Sequence, residues 1–395
     1  MKGKLIYFCF ILVVFYSCSN EDDGLVSIEQ ENPMLMNVHK ITKEKAIDIA
    51  EDFFGKTTRA GTPSFMVDYV LSDNKNVTRS CPIGNDTLAY VLNIVKNGGF
   101  MVVATDNRVF PILAYSEKGN LTYEKSDDDI VYANFISRLK GYMESIQETD
   151  SAVIVPENYL DGCQVVSPKL ATTWNQRTPY DKYVIQEHPG CPVGCVAVAT
   201  GQVMTCCKSL LSNYHGTKFY LKSMNDAFKE SVDNSSNSTR IIGGYFPTYT
   251  YEEAADYAAK LLYFIGKDVD MIYATGGSGA FSFLAYDLLD SLGFNLKENY
   301  LTTYSDTAIA RSVYNGYVIY MRGADTGGAG GHAWIIDGCS FCWSTPYPVK
   351  LGIQNVLLHC NWGWNGKSDG YFSGEVFRVS GYAFSNMEYF SVRKE

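Results

Sequence analysis

The stretch that decides the fold is residues 190–204, with the sequence GCPVGCVAVATGQVM. Two glycines and a proline precede Cys195 and a largely apolar run follows it, a pattern that predicts a turn leading into a buried helix. Free backbone N–H groups and the helix dipole at such an N-terminus favour negative charge, so we expect a lowered thiol pKa and a nucleophilic Cys195. The alternative is a buried, inert cysteine, the commoner outcome in an apolar run.

A second signal is GGHAWIIDG at residues 330–338. His332 stands between glycines and an apolar, β-branched run, which predicts a histidine at the head of a buried strand. The glycines leave room for a substrate backbone, and the strand holds the imidazole where it can act as a base toward a thiol. A solvent-facing histidine at a strand edge is the structural alternative.

Two further segments carry polar side chains suited to the same chemistry. In NWGWNG at residues 361–366, the Asn361 side chain is expected to accept a hydrogen bond from the imidazole, and Trp362 to cover that bond from water. A tight turn with aromatic packing is the alternative. In WNQ at residues 174–176, the Gln176 amide is expected to stabilise an oxyanion together with the Cys195 backbone N–H.

The composition limits the class of protein. With 395 residues, 46% of them hydrophobic and 19% charged, the chain predicts two ordered domains plus an export segment. The formal net charge of −10, without a basic stripe, opposes binding to nucleic acid, and no nucleic-acid partner is expected. The chemistry predicted for Cys195 requires no cofactor.

The N-terminal residues have the layout of a bacterial export signal. Lys2 and Lys4 precede an apolar run over residues 5–16, and Ser17-Cys18 follows it. A cysteine after a small residue at that point is similar to a lipobox, which predicts acylation of Cys18 and a cell-surface or outer-membrane lipoprotein. Cleavage by an ordinary signal peptidase, with secretion after processing, and a plain membrane anchor remain open.

Cysteine usage leaves the disulfide pattern open. The chain has 11 cysteines, and those outside the export segment and position 195 cannot be paired from sequence. Cys339 and Cys342 have the spacing of half a zinc site, but two more ligands at a recognisable spacing are missing. No metal site is therefore expected.

The periodicity of the chain predicts an α+β organisation. The first block is predicted to contain a helix at residues 42–54, a hairpin of strands 89–95 and 100–105 joined by Asn97-Gly98, a strand at 110–115 and a helix at 129–147. Residues 155–168 are predicted to be a linker. The second block is predicted to place helices first, after Cys195 and at 252–265 and 281–291, and strands later, at 317–321, 332–337, 355–360 and 388–392.

The order Gln176, Cys195, His332, Asn361 is that of papain-like peptidases, with a Cys-to-His spacing inside the roughly 130–150 residues typical of papain relatives. Together with WNQRTPY at 174–180 and the motifs above, it makes residues 165–395 resemble the streptopain family of papain-like cysteine peptidases. More loosely, GFMVVATD at 99–106 and PILAYS at 111–116 are similar to the inhibitory propeptide of that family.

The resemblance implies an α+β papain-like fold, with a helical part and an antiparallel sheet part, preceded by a small α+β propeptide domain. It divides the chain into a signal or lipoprotein segment (1–18), a tether with an inhibitory propeptide (19–165) and the peptidase domain (166–395). It implies a zymogen of a cysteine endopeptidase, whose partners are protein or peptide substrates and its own propeptide. Carried over by position, Cys195 and His332 are the catalytic pair, Gln176 forms the oxyanion hole, and Asn361 with Trp362 steadies His332. Gly279 and Gly331 occupy the peptide-contacting positions.

Two alternatives remain open. One is a catalytically dead surface lipoprotein with a peptidase fold, which the presence of all the chemical residues disfavours. The other is a different Cys-His acyl-transfer enzyme, such as a transglutaminase or a peptidoglycan amidohydrolase; the former more often uses Asp as third member, and the latter usually carries a wall-binding module. The natural substrate, the propeptide cleavage site and the oligomeric state do not follow from the sequence.

Overall fold

Residues 39–57, 64–72, 87–94, 98–121, 130–147, 163–230, 246–324, 331–343, 353–378 and 385–395 are described by a computed structural model. The predicted export segment with Cys18, most of the predicted linker, and residues 95–97 at the end of the first predicted hairpin strand and the start of its turn lie outside these ranges. Within them, no helix is long and apolar enough to cross a membrane.

The N-terminal block is a small antiparallel sheet with two helices. Its elements are α1 (Lys43–Thr57), β1 (Phe65–Ser72), β2 (Thr87–Ile94), β3 (Phe100–Ala104), β4 (Ile112–Ser116) and α2 (Ile130–Gln147). Helix α1 buries Ala46, Ala50 and Phe53 on the face predicted by their spacing, but it continues through Gly55, where the sequence predicted its end. The predicted pairing of β2 with β3 is confirmed, with Tyr90 opposite Val103.

The second block begins with its helical part. After the short strand β5 (Cys163–Val166) come α3 (Val184–Glu187), α4 (Cys195–Cys207), β6 (Leu211–Tyr214), β7 (Thr217–Phe219), α5 (Leu221–Glu230), α6 (Tyr251–Asp268) and α7 (Ser282–Ser291). Every residue of α4 after Cys195 is buried, which accounts for its apolar sequence. A side chain at Gly201 would lie 2.7 Å from Leu262, so this glycine permits the close packing of α4 against α6.

The sheet part follows, as its strand patterns predict. Its elements are β8 (Thr302–Thr303), α8 (Asp306–Tyr314), β9 (Tyr317–Ala324), β10 (Gly331–Trp343), β11 (Ile353–Asn361), β12 (Gly370–Ser373), a 3-10 helix (Val376–Arg378) and β13 (Ser385–Arg393). The pairings of β10 with β9 and β11 are antiparallel. The predicted α+β class, with helices first and an antiparallel sheet later, is confirmed.

The two blocks share one sheet. Among the described strands the order is β1-β2-β3-β4-β12-β11-β10-β9-β13-β8, and β5 pairs with β10 beside this path. The junction is the pairing of β4 with β12, where Tyr115 stacks on Tyr371 at a ring distance of 4.5 Å. The N-terminal block is therefore continuous with the strands that carry the predicted chemistry.

A disulfide joins Cys163 of β5 to Cys342 of β10. The end of the predicted linker is thus a strand, because its backbone completes hydrogen bonds along β10. The predicted domain boundary at residue 165 falls inside β5 and stays a prediction. Cys342, considered above as half of a zinc site, is a disulfide partner, whereas Cys339 is a buried free thiol.

Candidate active site

Cys195 is the first residue of α4, as predicted, and is half-buried. The preceding Gly194 has φ 94°, in the left-handed region that favours glycine. A Cβ at Gly194 would lie 2.6 Å from the sulfur of Met271 and 3.1 Å from the Ser278 carbonyl oxygen, so a side chain there would have to displace the end of the Met271 side chain. Gly194 therefore sets the angle at which the chain enters α4 and with it the direction of the Cys195 side chain.

His332 is the second residue of β10 and is 7% exposed. Its Nε2 lies 2.9 Å from the backbone carbonyl oxygen of Trp362. Because a carbonyl oxygen only accepts hydrogen bonds, this contact places the ring proton on Nε2 and leaves the lone pair on Nδ1. The imidazole is thus held in the tautomer in which Nδ1 can act as a base.

The structure brings Cys195 next to the strand that carries His332. Helix α4 packs against β10, and the backbone N–H of Ala333, the residue after His332, lies close enough to the Cys195 thiol to favour its ionised form. The backbone N–H groups of Val196 and of Cys195 itself, at the start of α4, contribute as well. Three backbone N–H groups, from two elements that are far apart in sequence, therefore favour the ionised form of the thiol.

Burial nevertheless keeps both groups neutral in the full-length chain. It raises the pKa of the Cys195 thiol above its ordinary value, against the opposing effect of the three N–H donors. It also lowers the pKa of His332 to about 4, although the Trp362 carbonyl favours the charged ring. The expectation that the helix N-terminus lowers the thiol pKa is wrong for this form, because desolvation outweighs the backbone dipoles.

Asn361 has different hydrogen-bond partners from the one expected. Its Oδ1 accepts from Gln202 Nε2 at 3.1 Å and from the backbone N–H of Gly363 at 3.2 Å, while its Nδ2 donates to the Thr172 carbonyl at 2.9 Å. The Gly363 N–H belongs to the same peptide unit as the Trp362 carbonyl that contacts His332. Asn361 therefore acts on the imidazole only indirectly, through the peptide group between Trp362 and Gly363. Its side chain points toward α4, where it contacts Gln202.

Aromatic rings enclose His332. Trp362 is 2% exposed, and its ring centroid lies 6.5 Å from that of His332 in a near-parallel arrangement. Trp334 lies at 6.0 Å, and Trp364 is nearer, at 5.0 Å. The contact with Trp364 was missed in the sequence, although this residue stands two positions after Trp362 in the same motif. These rings exclude water from the imidazole, which agrees with its lowered pKa.

Gln176 precedes Cys195 in the sequence. Its backbone carbonyl accepts the N–H of Val193 at 2.9 Å, which ties its segment to the turn before α4. Its side chain is half-buried and has no hydrogen-bond partner among the described residues. The amide is therefore available to a ligand, as an oxyanion donor requires.

The two glycines predicted to contact a peptide differ in their surroundings. Gly279 is exposed, and its N–H and carbonyl are both hydrogen-bonded to Ile272 across a short loop, so that its N–H is already used. Gly331 is exposed at the start of β10, opposite Ala324. A Cβ at Gly331 would lie 2.7 Å from the Gly323 carbonyl oxygen, so glycine permits the close approach of β9 and β10 beside His332.

Comparison with known proteins places this site in context. Residues 174–372 match the Peptidase C10 family, and residues 38–137 match the Spi protease inhibitor family. Streptopain of Streptococcus pyogenes is 26% identical over 389 residues, covering 88% of this chain and 89% of its own length. Thiol protease/hemagglutinin PrtT of Porphyromonas gingivalis is 24% identical over 384 residues, covering 86% of this chain and 39% of its own.

Prointerpain A of Prevotella intermedia, a solved structure, is 22% identical with a TM-score of 0.49, covering 77% of this chain and 94% of its own. The helix-borne cysteine beside a strand-borne histidine, in a chain with these relatives, defines a cysteine protease with an N-terminal inhibitor domain. Because the match to the Peptidase C10 family spans half of the sequence, the chain belongs to this family, whose members are streptopain-like.

Proposed function

We propose that this cysteine protease is an exported endopeptidase, made as an inactive precursor, in which Cys195 is the nucleophile and His332 the base. The observation that carries the proposal is the packing of α4 against β10, which places the Cys195 thiol near the backbone of Ala333, the residue after His332. The Nε2 proton held by the Trp362 carbonyl supports it, since Nδ1 is then the basic nitrogen.

The proposed reaction is acyl transfer through a thioester. Nδ1 of His332 takes the thiol proton, and the thiolate sulfur bonds to the peptide carbonyl carbon. The Gln176 amide and the Cys195 N–H donate to the resulting oxyanion. When the intermediate collapses, the C–N bond breaks and the imidazolium protonates the leaving amine. A water that gives its proton to His332 then hydrolyses the thioester, which releases the acid and restores the Cys195 thiol.

The N-terminal block is proposed as the intramolecular inhibitor of this reaction. Besides the β4–β12 pairing, Ser116 Oγ donates to the Asp369 carbonyl at 2.9 Å, and Arg138 of α2 donates to the Phe377 carbonyl at 3.0 Å. These contacts bind the block to the end of the Trp362 turn and to the 3-10 helix that follows it. The match of residues 38–137 to an inhibitor family supports the same role.

The protonation states support an inactive precursor. A neutral thiol is a far weaker nucleophile than a thiolate, and in the full-length chain burial disfavours both charges of a thiolate–imidazolium pair. We propose that cleavage near residue 165 lets the N-terminal block move away from the site, while Cys163 stays joined to Cys342. Water and substrate then enter the site, so that the thiol pKa falls and the imidazole pKa rises. Peptides would then bind between the loop that contains Gly279 and the edge at Gly331.

Export is proposed from the signal pattern of the N-terminal residues. Acylation of Cys18 would retain the protein at the cell surface or outer membrane, whereas ordinary signal cleavage and processing would release it. Mass spectrometry of the mature N-terminus distinguishes these outcomes and locates the boundary proposed near residue 165.

The decisive test is Cys195→Ala in the full-length chain. We expect loss of both peptide hydrolysis and self-processing, because the proposed thioester forms on the Cys195 sulfur. Cys191→Ala is the matched control, since Cys191 is a buried free thiol in the same turn; it should retain activity. Hydrolysis by the Cys195→Ala protein would contradict the assignment. An epoxysuccinyl inhibitor that fails to label Cys195 after activation of the wild-type chain would instead favour a dead peptidase fold.

A further inference from the structure

The Trp362 carbonyl fixes the imidazole of His332 through its hydrogen bond to Nε2. The turn that begins at Trp362 is closed by hydrogen bonds from Trp362 to Ser368 and Asp369. The Trp362 backbone N–H donates to Oδ1 of Asp369 at 3.0 Å. Its indole Nε1 donates to the backbone carbonyl of Ser368 at 3.1 Å. Both N–H groups of Trp362 are thus held by two consecutive residues.

We propose that Asp369 is a positioning residue for His332: its carboxylate holds the Trp362 main chain so that the Trp362 carbonyl stays on Nε2. The inference rests on the proposed role of His332 as base. Asn361 holds the same turn from the opposite side, through the Gly363 N–H. The Asp369 and Asn361 side chains fix the peptide groups on either side of the Trp362 α-carbon. The orientation of the Trp362 carbonyl is therefore fixed as well.

The surroundings of Asp369 are those of a constrained acceptor. His359 and Cys360 on β11 and Asp337 on β10 interact with Asp369 directly. Glu117 after β4 interacts with His359, and Tyr371 on β12 interacts with Asp337 and Glu117. Burial raises the pKa of the Asp369 carboxyl to about 7, whereas the Trp362 N–H and His359 favour the ionised form. Protonation does not break the bond to Trp362, because the carbonyl oxygen of a carboxylic acid also accepts.

The contact between the two blocks leaves this bond intact. Ser116 Oγ donates to the main-chain carbonyl of Asp369, whereas the bond to Trp362 uses the side chain. The carboxylate contact is internal to one turn of the peptidase part. Asp369 should therefore position His332 both in the precursor and in the mature enzyme.

Three variants of the full chain test this inference: Asp369→Ala, which removes the acceptor; Asp369→Asn, which keeps an oxygen acceptor without the charge; and Lys367→Ala, an exposed control in the same turn. Each precursor is activated with a trace of wild-type enzyme, so that defective self-processing does not obscure the result. The measurements are kcat, KM, the pH profile of kcat/KM and the melting temperature.

For Asp369→Ala we expect kcat to fall on the order of 10- to 100-fold with KM within about twofold, because a small misplacement of the base affects the chemical step more than substrate binding. The alkaline limb of the pH profile should move to lower pH, because the imidazolium loses a fixed carbonyl partner. Asp369→Asn should recover most of kcat, and Lys367→Ala should match the wild type.

A wild-type pH profile and kcat in Asp369→Ala would overturn the inference, as would equal kcat losses in the Ala and Asn variants. If Asp369→Ala does not fold, Asp369→Ser, whose shorter side chain does not reach the Trp362 N–H, replaces it with the same expected loss. Failure of both to fold would also overturn the inference, since Asp369 would then be required for folding. Failure of the proposed function is distinguishable, because the wild-type enzyme would then be inactive and Cys195 unlabelled.

Discussion

The desolvated imidazole of His332 predicts that acid destabilises the full-length chain by a definite amount. The pKa of His332 is lowered from 6.5 to about 4, mainly by burial. Between these values the unfolded chain binds a proton at this histidine and the folded chain does not, so stability falls as pH decreases from about 6.5 to about 4. At about 1.4 kcal/mol per pKa unit, the free energy of unfolding should decrease by about 3 kcal/mol through this residue.

The measurement compares two proteins that do not cleave themselves: Cys195→Ala, and Cys195→Ala with His332→Gln. Glutamine retains an N–H donor for the Trp362 carbonyl but does not titrate. Urea unfolding at pH 7, 5.5 and 4 gives the free energy of unfolding of each. The difference between the two proteins should change by about 3 kcal/mol over this range, with the histidine protein losing more.

Other titrating groups cancel in that comparison. The Asp369 carboxyl, with a pKa raised to about 7, acts with the opposite sign: its folded form binds a proton that the unfolded form releases, so it adds stability as pH decreases from 7 toward 4. This contribution is present in both proteins. Parallel pH dependences of the two proteins would refute the reasoning, because they would mean that His332 titrates alike in the folded and unfolded states.

Two further changes test the packing around the site. Gly194→Ala should lower the melting temperature and reduce kcat/KM by about tenfold or more, since its Cβ would meet Met271 at 2.6 Å. Gly216→Ala is the control, because Gly216 has a similar positive φ but nothing within 4 Å of the added Cβ. It shows the effect of backbone strain alone and should remain active. The double variant Cys163→Ala/Cys342→Ala should lose about 2–5 kcal/mol of unfolding free energy. Reduction should lower wild-type stability to the same value and leave the variant unchanged.

Local sequence patterns located the elements that carry the site. The glycines and apolar run around Cys195 predicted a helix start, and the alternating and β-branched runs predicted β3 and β11 close to their observed bounds. The same runs predicted where β9 and β10 begin, but both strands continue beyond the predicted ends at residues 321 and 337. Such signals are local because a helix or strand that buries one face records this burial in its own periodicity. Strand β5 was not predicted, because it depends on its neighbour β10. The continuation of α1 beyond Gly55 was not predicted either; there Lys56 pairs with Asp52 one turn earlier, on the exposed side of the helix.

The hydrogen-bond partners of the predicted site residues could not be predicted from the sequence. The Asn361 side chain was expected on the imidazole, yet it holds Gly363, Gln202 and Thr172, and the acceptor for His332 is a main-chain carbonyl. Every residue has a main-chain carbonyl, so the sequence does not indicate which carbonyl accepts the hydrogen bond from His332. The contact of Trp364 with His332 and the pairing of Cys163 with Cys342 likewise depend on segments that meet only after folding.

The amino-acid sequence by itself determined which chemical groups are present, which elements carry them and which family the chain resembles. Only the tertiary structure decided their protonation states and their hydrogen-bond partners. The physical reason is that desolvation and hydrogen-bond geometry depend on atoms contributed by distant segments. Cys195 illustrates this: its position at a helix start favours a thiolate, whereas the residues packed around it in the full-length chain favour the thiol.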